Sequence, residues 1–267
     1  MRQRSIRLLA TVAVTAILAA GLGGCQTMSD ITGSISPKAP ASADTDPHHA
    51  VEAAGERYRA DPKNAEAALA YGQALRASGQ RSQAAAMLEQ ATIAHPADKA
   101  LLAAYGRALV DNGYFLQALD VLSRAHSPDS PDWRILSVQG TALDQLGRHD
   151  EARRYYVSAL KIAPDEPSVL SNLGLSYMLS KNLPKAEEAL RQAYASGKAD
   201  ARVRQNLALV VGLQGRFAEA EQIVRADLPP DEAAANVAYL KQMLNRKDDP
   251  RVGSAGKLPV ASLSRPE

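Results

Sequence analysis

Apolar residues recur at helical spacing along most of this chain, in segments of about 14 residues that glycine, proline or polar residues interrupt. Small residues return every 34 positions: Gly72, Gly106, Gly140 and Gly174, with Ala208 next in the series. Alanine keeps the same spacing at Ala84, Ala118, Ala152, Ala186 and Ala220. A period of this length is typical of a helix–turn–helix unit that stacks on copies of itself. The pattern therefore predicts an all-α solenoid of paired helices.

The period also sets the predicted bounds of the repeat domain, residues 48–246. The full repeats are predicted at 65–98, 99–132, 133–166, 167–200 and 201–234, after a half repeat at 48–64. Pro96 and Pro164 end second helices, because proline lacks an amide proton and clashes with the preceding turn. Residues 231–246 carry apolar residues at helical spacing and are predicted to form a helix that caps the last repeat.

Two series of small residues have different predicted roles. The series that contains Gly140 lies where two helices cross, and it lets the helix backbones approach closely. A second series follows the first helices and is predicted to adopt a left-handed conformation: Gly79, Gly113, Gly147 and Gly215. In the fourth repeat Lys181 and Asn182 replace this glycine, and we expect the asparagine to tolerate the same geometry.

This combination of positions resembles the tetratricopeptide repeat family. The matching features are a small residue at the eighth position, alanines at the twentieth and twenty-seventh, and a proline at the thirty-second. The fifth repeat departs from the pattern, with Asp227 and Glu232 at the last two of these positions. The resemblance implies a right-handed superhelix with a capping helix at its C-terminal end. It also implies a concave surface, lined by the first helices, that binds peptides.

The first residues have a different character. Arg2, Arg4 and Arg7 precede an uncharged apolar run that ends in Leu22-Gly23-Gly24-Cys25. A basic start, a short apolar run and small residues at its end are typical of a secretory signal. The tetrapeptide resembles the lipobox of bacterial lipoproteins, which implies cleavage after residue 24 and lipidation of Cys25. The alternative is an ordinary signal that is cleaved nearby, with an incidental cysteine.

The resemblance to bacterial lipoproteins also implies a location. Gln26 follows the cysteine, where an aspartate often causes retention in the inner membrane. We therefore expect a protein that is lipid-anchored to the outer membrane and faces the periplasm. Residues 25–47 are predicted to be a flexible tether, and residues 247–267 a disordered tail, because both are polar and rich in proline, glycine and serine or alanine.

Charge and motifs exclude several classes of function. Loss of residues 1–24 removes three arginines and no acids, which changes the formal net charge from +2 to −1. We therefore expect no nucleic-acid partner. No phosphate-binding loop, nucleophile elbow or zinc motif is present in the sequence. The histidines fall on adjacent residues, repeat ends or turns, where a solvated imidazole is expected. The sequence therefore predicts a protein that is not an enzyme and has no cofactor, metal or small-molecule substrate.

The repeat register predicts which side chains line the concave surface. The candidate peptide-binding residues are Arg107, Arg134, Thr141, Asn172, Leu175, Met178, Gln205, Asn206 and Leu209. An asparagine amide can both donate to and accept from a peptide backbone, although it can instead bond locally to its own backbone. The apolar members suit a helix or strand of a partner, but the capping helix is an alternative cover for them.

The lipobox with Cys25, the repeats and the closing segment from Leu228 to Leu240 together resemble the TadD family of lipoproteins from tight-adherence (Flp-type) pilus systems. That resemblance implies a pilotin-like scaffold, which helps the outer-membrane secretin to assemble or to reach its location. The expected partners are then the secretin or other pilus assembly components, together with the membrane through the lipid anchor. The alternative is a tetratricopeptide lipoprotein that acts as an adaptor for cell-wall hydrolases or outer-membrane assembly factors.

Overall fold

A computed structural model describes residues 47–127 and 129–247 of the chain. This part consists of twelve α-helices, and its only β-type pairing is an isolated bridge between Ser127 and Ser130. The all-α repeat solenoid that the period predicts is thereby confirmed. The predicted signal peptide, Cys25, nearly all of the tether and residues 248–267 of the tail lie outside the described residues.

The helices form five antiparallel pairs between two single helices. The single helices are α1 (Pro47–Ala60) at the start and α12 (Pro230–Lys247) at the end. The pairs are α2 (Ala65–Ala77) with α3 (Arg81–Ala94), α4 (Lys99–Asp111) with α5 (Phe115–Ala125), α6 (Trp133–Gln145) with α7 (His149–Ile162), α8 (Pro167–Leu179) with α9 (Leu183–Ala195), and α10 (Ala201–Leu213) with α11 (Phe217–Val224). The first helix of every pair begins at the first residue of a repeat assigned from the 34-residue period.

Each first helix begins after a side chain that caps its N-terminus. The capping residues are Asn64, Asp98, Asp132, Glu166 and Asp200, again 34 residues apart. Each side chain accepts a hydrogen bond from a backbone amide in the first turn, which would otherwise lack a partner. This series was not among the features predicted from the sequence, although its spacing is as regular as that of the glycines.

The close helix crossing that the glycine series predicts is confirmed. A β-carbon placed on Gly140 would lie 2.6 Å from a ring carbon of Tyr156 on the paired helix. Gly72, Gly106 and Gly174 meet Leu88, Leu122 and Leu190 in the same way, at 2.5 to 2.7 Å. Such distances are shorter than any normal carbon–carbon contact, so the large side chain of the second helix occupies the space that a glycine leaves free.

The turn after the first helix is left-handed in every repeat, but the fourth repeat differs from the prediction. Lys181, with φ 61°, takes the left-handed position there, in register with Gly147 and Gly215. Asn182 instead precedes α9, and its side-chain oxygen accepts a hydrogen bond from the amide of Lys185 at 3.3 Å. The prediction that the asparagine takes the left-handed conformation was therefore wrong. Lys181 is the residue in register with the glycines, and Asn182 is the N-cap of α9.

The capping helix closes the C-terminal end of the stack. Ala233 and Val237 of α12 are buried in one apolar cluster with Val211 and Leu228. Leu240 lies on Gly212 of α10, where a β-carbon would come within 2.5 Å of its side chain. Helix α12 thus covers apolar surface that would otherwise face water at the end of the solenoid.

Candidate functional site

The first helices form one continuous face of the stack. Successive first helices α2, α4, α6, α8 and α10 contact one another, whereas successive second helices do not within the described residues. In a curved stack the elements on the inner side lie closer together, so the first helices line the inner face. We call the inner face of α2 to α10 the groove.

The ninth residue of each repeat shows how the groove changes along its length. These residues are Gln73, Arg107, Thr141, Leu175 and Leu209, in order of the repeats. All five are at least partly exposed although their helices belong to the core. At this position the groove is therefore polar or cationic in the first three repeats and apolar in the last two.

Three arginines give the early part of the groove its charge. Arg76 on α2 donates to the carboxylate of Asp111 on α4, with 2.6 Å between Nε and Oδ2. Arg134 is exposed at the start of α6, where its guanidinium lies 4.5 Å from the centre of the Trp133 ring. Arg107 lies between them on α4. Burial, and after it the positive charge of Arg76, lower the pKa of Arg107.

The two predicted asparagines form a ladder between repeats. The Asn172 amide on α8 donates to the hydroxyl of Ser137 on α6 at 3.2 Å, and the Asn206 amide on α10 donates to Ser171 on α8 at 2.9 Å. Each bond thus runs to the preceding first helix. The sequence had suggested either a bond to a bound peptide or a local bond to the asparagine's own backbone. Each asparagine remains half-exposed and has a side-chain oxygen without a hydrogen-bond donor among the described residues. These oxygens can accept a hydrogen bond from a bound peptide.

The apolar candidates differ in their surroundings. Met178 packs against the C-terminal core cluster, so it belongs partly to the interior. Leu175 and Leu209 are half-exposed and belong to none of the packed clusters of the described residues. Gln205 is half-exposed beside them, and Thr141 donates its hydroxyl hydrogen to the backbone oxygen of Ser137 at 3.1 Å.

Asp144, which follows Thr141 by three residues on α6, is part of a buried polar cluster between the third and fourth repeats. The residue is 8% exposed. Its carboxylate accepts hydrogen bonds from the Tyr156 hydroxyl at 3.0 Å and the Ser176 hydroxyl at 2.7 Å, and lies 2.8 Å from Nδ1 of His149. Burial, and then the charge of Asp144, raise the pKa of Tyr156 well above its usual value, so its hydroxyl keeps its proton and donates. Asp144 therefore joins repeats and does not face a ligand.

The expectation of solvated histidines at the repeat ends was wrong for three residues. The ring of His95 bonds to the backbone oxygen of Lys63 at 2.8 Å, and that of His126 to Gln139 at 3.2 Å, while His149 bonds to Asp144. Each of these imidazoles thus has a hydrogen-bond partner within the protein. No group of three or more metal-ligating side chains occurs among residues 47–127 and 129–247. Within the same range, every helix is too short or too polar to cross a bilayer.

The stacked helix pairs and the exposed inner face define a helical repeat protein with a binding groove. Two family models described as tetratricopeptide repeat match the chain, one at residues 69–132 and 137–201 and the other at residues 201–226. Together these ranges cover more than half of the sequence. The chain therefore belongs to the tetratricopeptide-repeat proteins. A search of curated protein sequences gave no match.

Solved structures share this fold. The type IV pilus biogenesis factor PilW is 19% identical, with a TM-score of 0.63 over 72% of this chain and 91% of its own. PilF of Pseudomonas aeruginosa is 18% identical, with a TM-score of 0.54 over 68% of this chain and 92% of its own. One chain of the APC/C hetero-tetramer Cut9–Hcn1 is 16% identical, with a TM-score of 0.62 over 76% of this chain and 40% of that one. At these identities the similarity shows the fold alone.

Proposed function

We propose that the chain is a periplasmic scaffold, anchored by lipid on Cys25 to the outer membrane, that binds a protein component of tight-adherence (Flp-type) pilus assembly. The observation that carries the binding role is the groove, in which half-exposed asparagine, glutamine and leucine side chains remain on the inner face of α8 and α10. A surface with both amide and apolar groups suits an extended or helical peptide segment. The proposal assigns the chain no catalytic step.

The pilus context of the proposal has two supports. The signal-like start with Cys25 and the closing segment resemble the TadD lipoproteins. A protein of similar fold, PilW, is described as a type IV pilus biogenesis factor. We infer a pilotin-like role, in which the scaffold helps the secretin to assemble in the outer membrane.

Complementation of a deletion strain tests this proposal. We expect the deletion to abolish pili and to lower the amount of secretin oligomer in the outer membrane, and the wild-type gene to restore both. Cys25→Ala should move the protein to the soluble fraction and fail to restore pili. Membrane attachment of the Cys25→Ala protein would contradict the anchor, and normal piliation of the deletion strain would reject the pilus role.

A matched pair of substitutions tests the groove itself. Leu209→Gln changes a half-exposed groove residue, whereas Leu116→Gln makes the same change on α5, a second helix, where the side chain is 69% exposed. Both proteins should be present at wild-type levels. We expect Leu209→Gln to reduce pili and Leu116→Gln to leave them unchanged. Equal piliation of the two strains would place the functional surface elsewhere. Should the deletion strain keep its pili but show defects in cell-wall cleavage or outer-membrane assembly, that result would support the adaptor alternative.

A further inference from the structure

Arg107 is the one half-buried cation among residues 48–245 that has no carboxylate partner. Four arginines and no lysine are half-buried in that range. Three of the four are paired: Arg76 with Asp111, Arg153 with Asp150, and Arg204 with Asp227. Arg107, on the groove side of α4, makes no hydrogen bond or ion pair with any described residue.

The acids that lie near Arg107 are already engaged. Asp111 receives its hydrogen bond from Arg76. Asp132 caps α6 by accepting from the amide of Arg134 at 2.7 Å, and it lies 4.0 Å from the guanidinium of the same residue. Burial, and after it the positive charges of Arg76 and Arg134, lower the pKa of Arg107 although Asp132 and Asp111 act to raise it. The local balance therefore favours an additional anion.

A half-buried cation without a counter-charge loses hydration and gains no ion pair in return. A carboxylate on a bound partner would compensate for that loss, because a guanidinium offers two parallel N–H donors to the two oxygens of a carboxylate. The groove continues from Arg107 through Thr141 to Leu175 and Leu209, so a segment that lies along it meets cationic, then neutral, then apolar surface.

We propose that the groove binds a segment of its protein partner in which an aspartate or glutamate pairs with Arg107, and apolar side chains further along the segment rest on Leu175 and Leu209. The inference rests on the proposed scaffold function, because it names the chemistry of the segment that the same groove takes. Arg76 and Arg134 attract further acidic residues at that end of the segment. The recognised partner is thus a protein with an acidic stretch beside an apolar one.

Selection from a random peptide library on the purified full-length chain tests this chemistry without assuming a partner. We expect the enriched peptides to combine aspartate or glutamate with leucine-like residues at one preferred spacing. The same selection on Arg107→Glu should lose the acidic preference, whereas Arg154→Glu, an equal charge reversal at an exposed position on the second helix α7, should keep it. An enriched set without acidic residues would overturn the proposal, and so would a selection that enriches nothing.

The best enriched peptide, carrying a fluorescent label, then serves as the probe for affinity. We expect Arg107→Glu to weaken binding at least about tenfold and Arg154→Glu by less than about twofold. Arg107→Met keeps most of the side-chain volume, so it should also weaken binding while the melting temperature stays the same or rises. A lower melting temperature with unchanged binding would make Arg107 a structural residue and overturn the proposal.

The two proposals fail in different ways. Should the deletion strain make normal pili while the acidic probe still needs Arg107, the pilus role fails and the chemistry of the groove stands. Should pili depend on the chain while Arg107→Glu binds the same peptides as the wild type, the acidic segment is rejected and the scaffold function stands.

Discussion

Gly140 shows how a single residue position determines the spacing of a helix pair. The space above its α-carbon is filled by the ring of Tyr156, and the equivalent glycines of three other repeats face leucines. In the fifth repeat both residues of this contact differ. Ala208 stands in place of the glycine on the first helix, and Val224 stands in place of the leucine or tyrosine on the second. A larger residue on the first helix is thus matched by a smaller one on the second, which keeps the crossing filled.

Gly140→Leu should therefore destabilise the protein strongly. Leucine is the better helix former, by about 1 kcal/mol, but it has no room beside Tyr156, and the overpacking outweighs that gain. With overpacking of about 3 kcal/mol and a propensity gain of about 1 kcal/mol, we expect a net loss of about 2 kcal/mol in the free energy of unfolding, measured by urea denaturation. Ala86→Leu, at an exposed position of α3, is the control and should change stability little. Adding Tyr156→Ala to Gly140→Leu should recover part of the loss, and no recovery would contradict the steric explanation.

Residue-level predictions from the sequence succeeded where a position has a fixed backbone or volume requirement. The glycine series is of this kind, because a crossing or a left-handed turn admits few alternatives. They failed for Lys181, since a tolerated non-glycine residue at φ 61° carries no signal of its own. Asn172 and Asn206 were placed on the correct helices, but their bonds to serines of the preceding repeat depend on the packing distance between helices, which periodicity does not give.

Each first helix starts where the 34-residue period places the start of a repeat, after a capping side chain that recurs with the same spacing. Contacts between helices of different repeats are less predictable. The fourth and fifth repeats are joined by an ionic network between α9 and the turn and first residues of α11, which the repeat period does not predict. Glu187, with its side chain 15% exposed, binds Arg191, Arg216 and Gln214, and the two arginines also bind Glu219.

This network should make stability depend on pH in the acidic range. Hydrogen bonds from Arg216, and then from Gln214 and Arg191, lower the pKa of Glu187 from 4.5 to about 2. A carboxylate whose pKa is lower in the folded state adds stability above its ordinary pKa, and that contribution is lost as the pH falls toward the folded value. The free-energy difference between wild type and Glu187→Gln should therefore be largest above about pH 4.5 and shrink toward about pH 2.

Urea unfolding at a series of pH values measures this difference. Glu188→Gln is the matched control, because Glu188 is the exposed neighbour of Glu187 and makes no ion pair with a described residue. We expect its effect to be small throughout. A Glu187→Gln effect that stays constant between pH 6 and pH 3, or one that the control reproduces, would show that the network does not couple these repeats.

The whole described unit is a stack of similar pairs, yet its inner face is not uniform. The period predicts the stack because every repeat must solve the same packing problem. It cannot predict which inner positions stay available to a ligand. Asp144 and Arg107 both have inner positions in the register, but Asp144 is enclosed by side chains of two repeats, whereas Arg107 has no carboxylate within reach that is not already paired. That difference depends in part on side chains of neighbouring repeats, such as Ser176 at Asp144 and Arg76 near Arg107.

The ends of the stack limit its stability, because each repeat is supported mainly by its neighbours. Helix α12 supports the last pair through Leu240, which fills the space above Gly212. Leu240→Asp places a charge at that contact and should lower the free energy of unfolding by about 2 kcal/mol. Tyr239→Asp introduces the same charge at the adjacent position, where the tyrosine is 64% exposed. It should lower the free energy of unfolding far less.

Hydrogen exchange shows where the loss of stability falls. In Leu240→Asp we expect faster exchange in α10, α11 and α12, with α4 to α7 close to wild type, because local opening starts at the end that has lost its cover. Should exchange quicken equally in all repeats, the solenoid would unfold as a single unit and the cap would not act locally. Should Leu240→Asp and Tyr239→Asp behave alike, the contact with Gly212 would contribute no support to the last repeat.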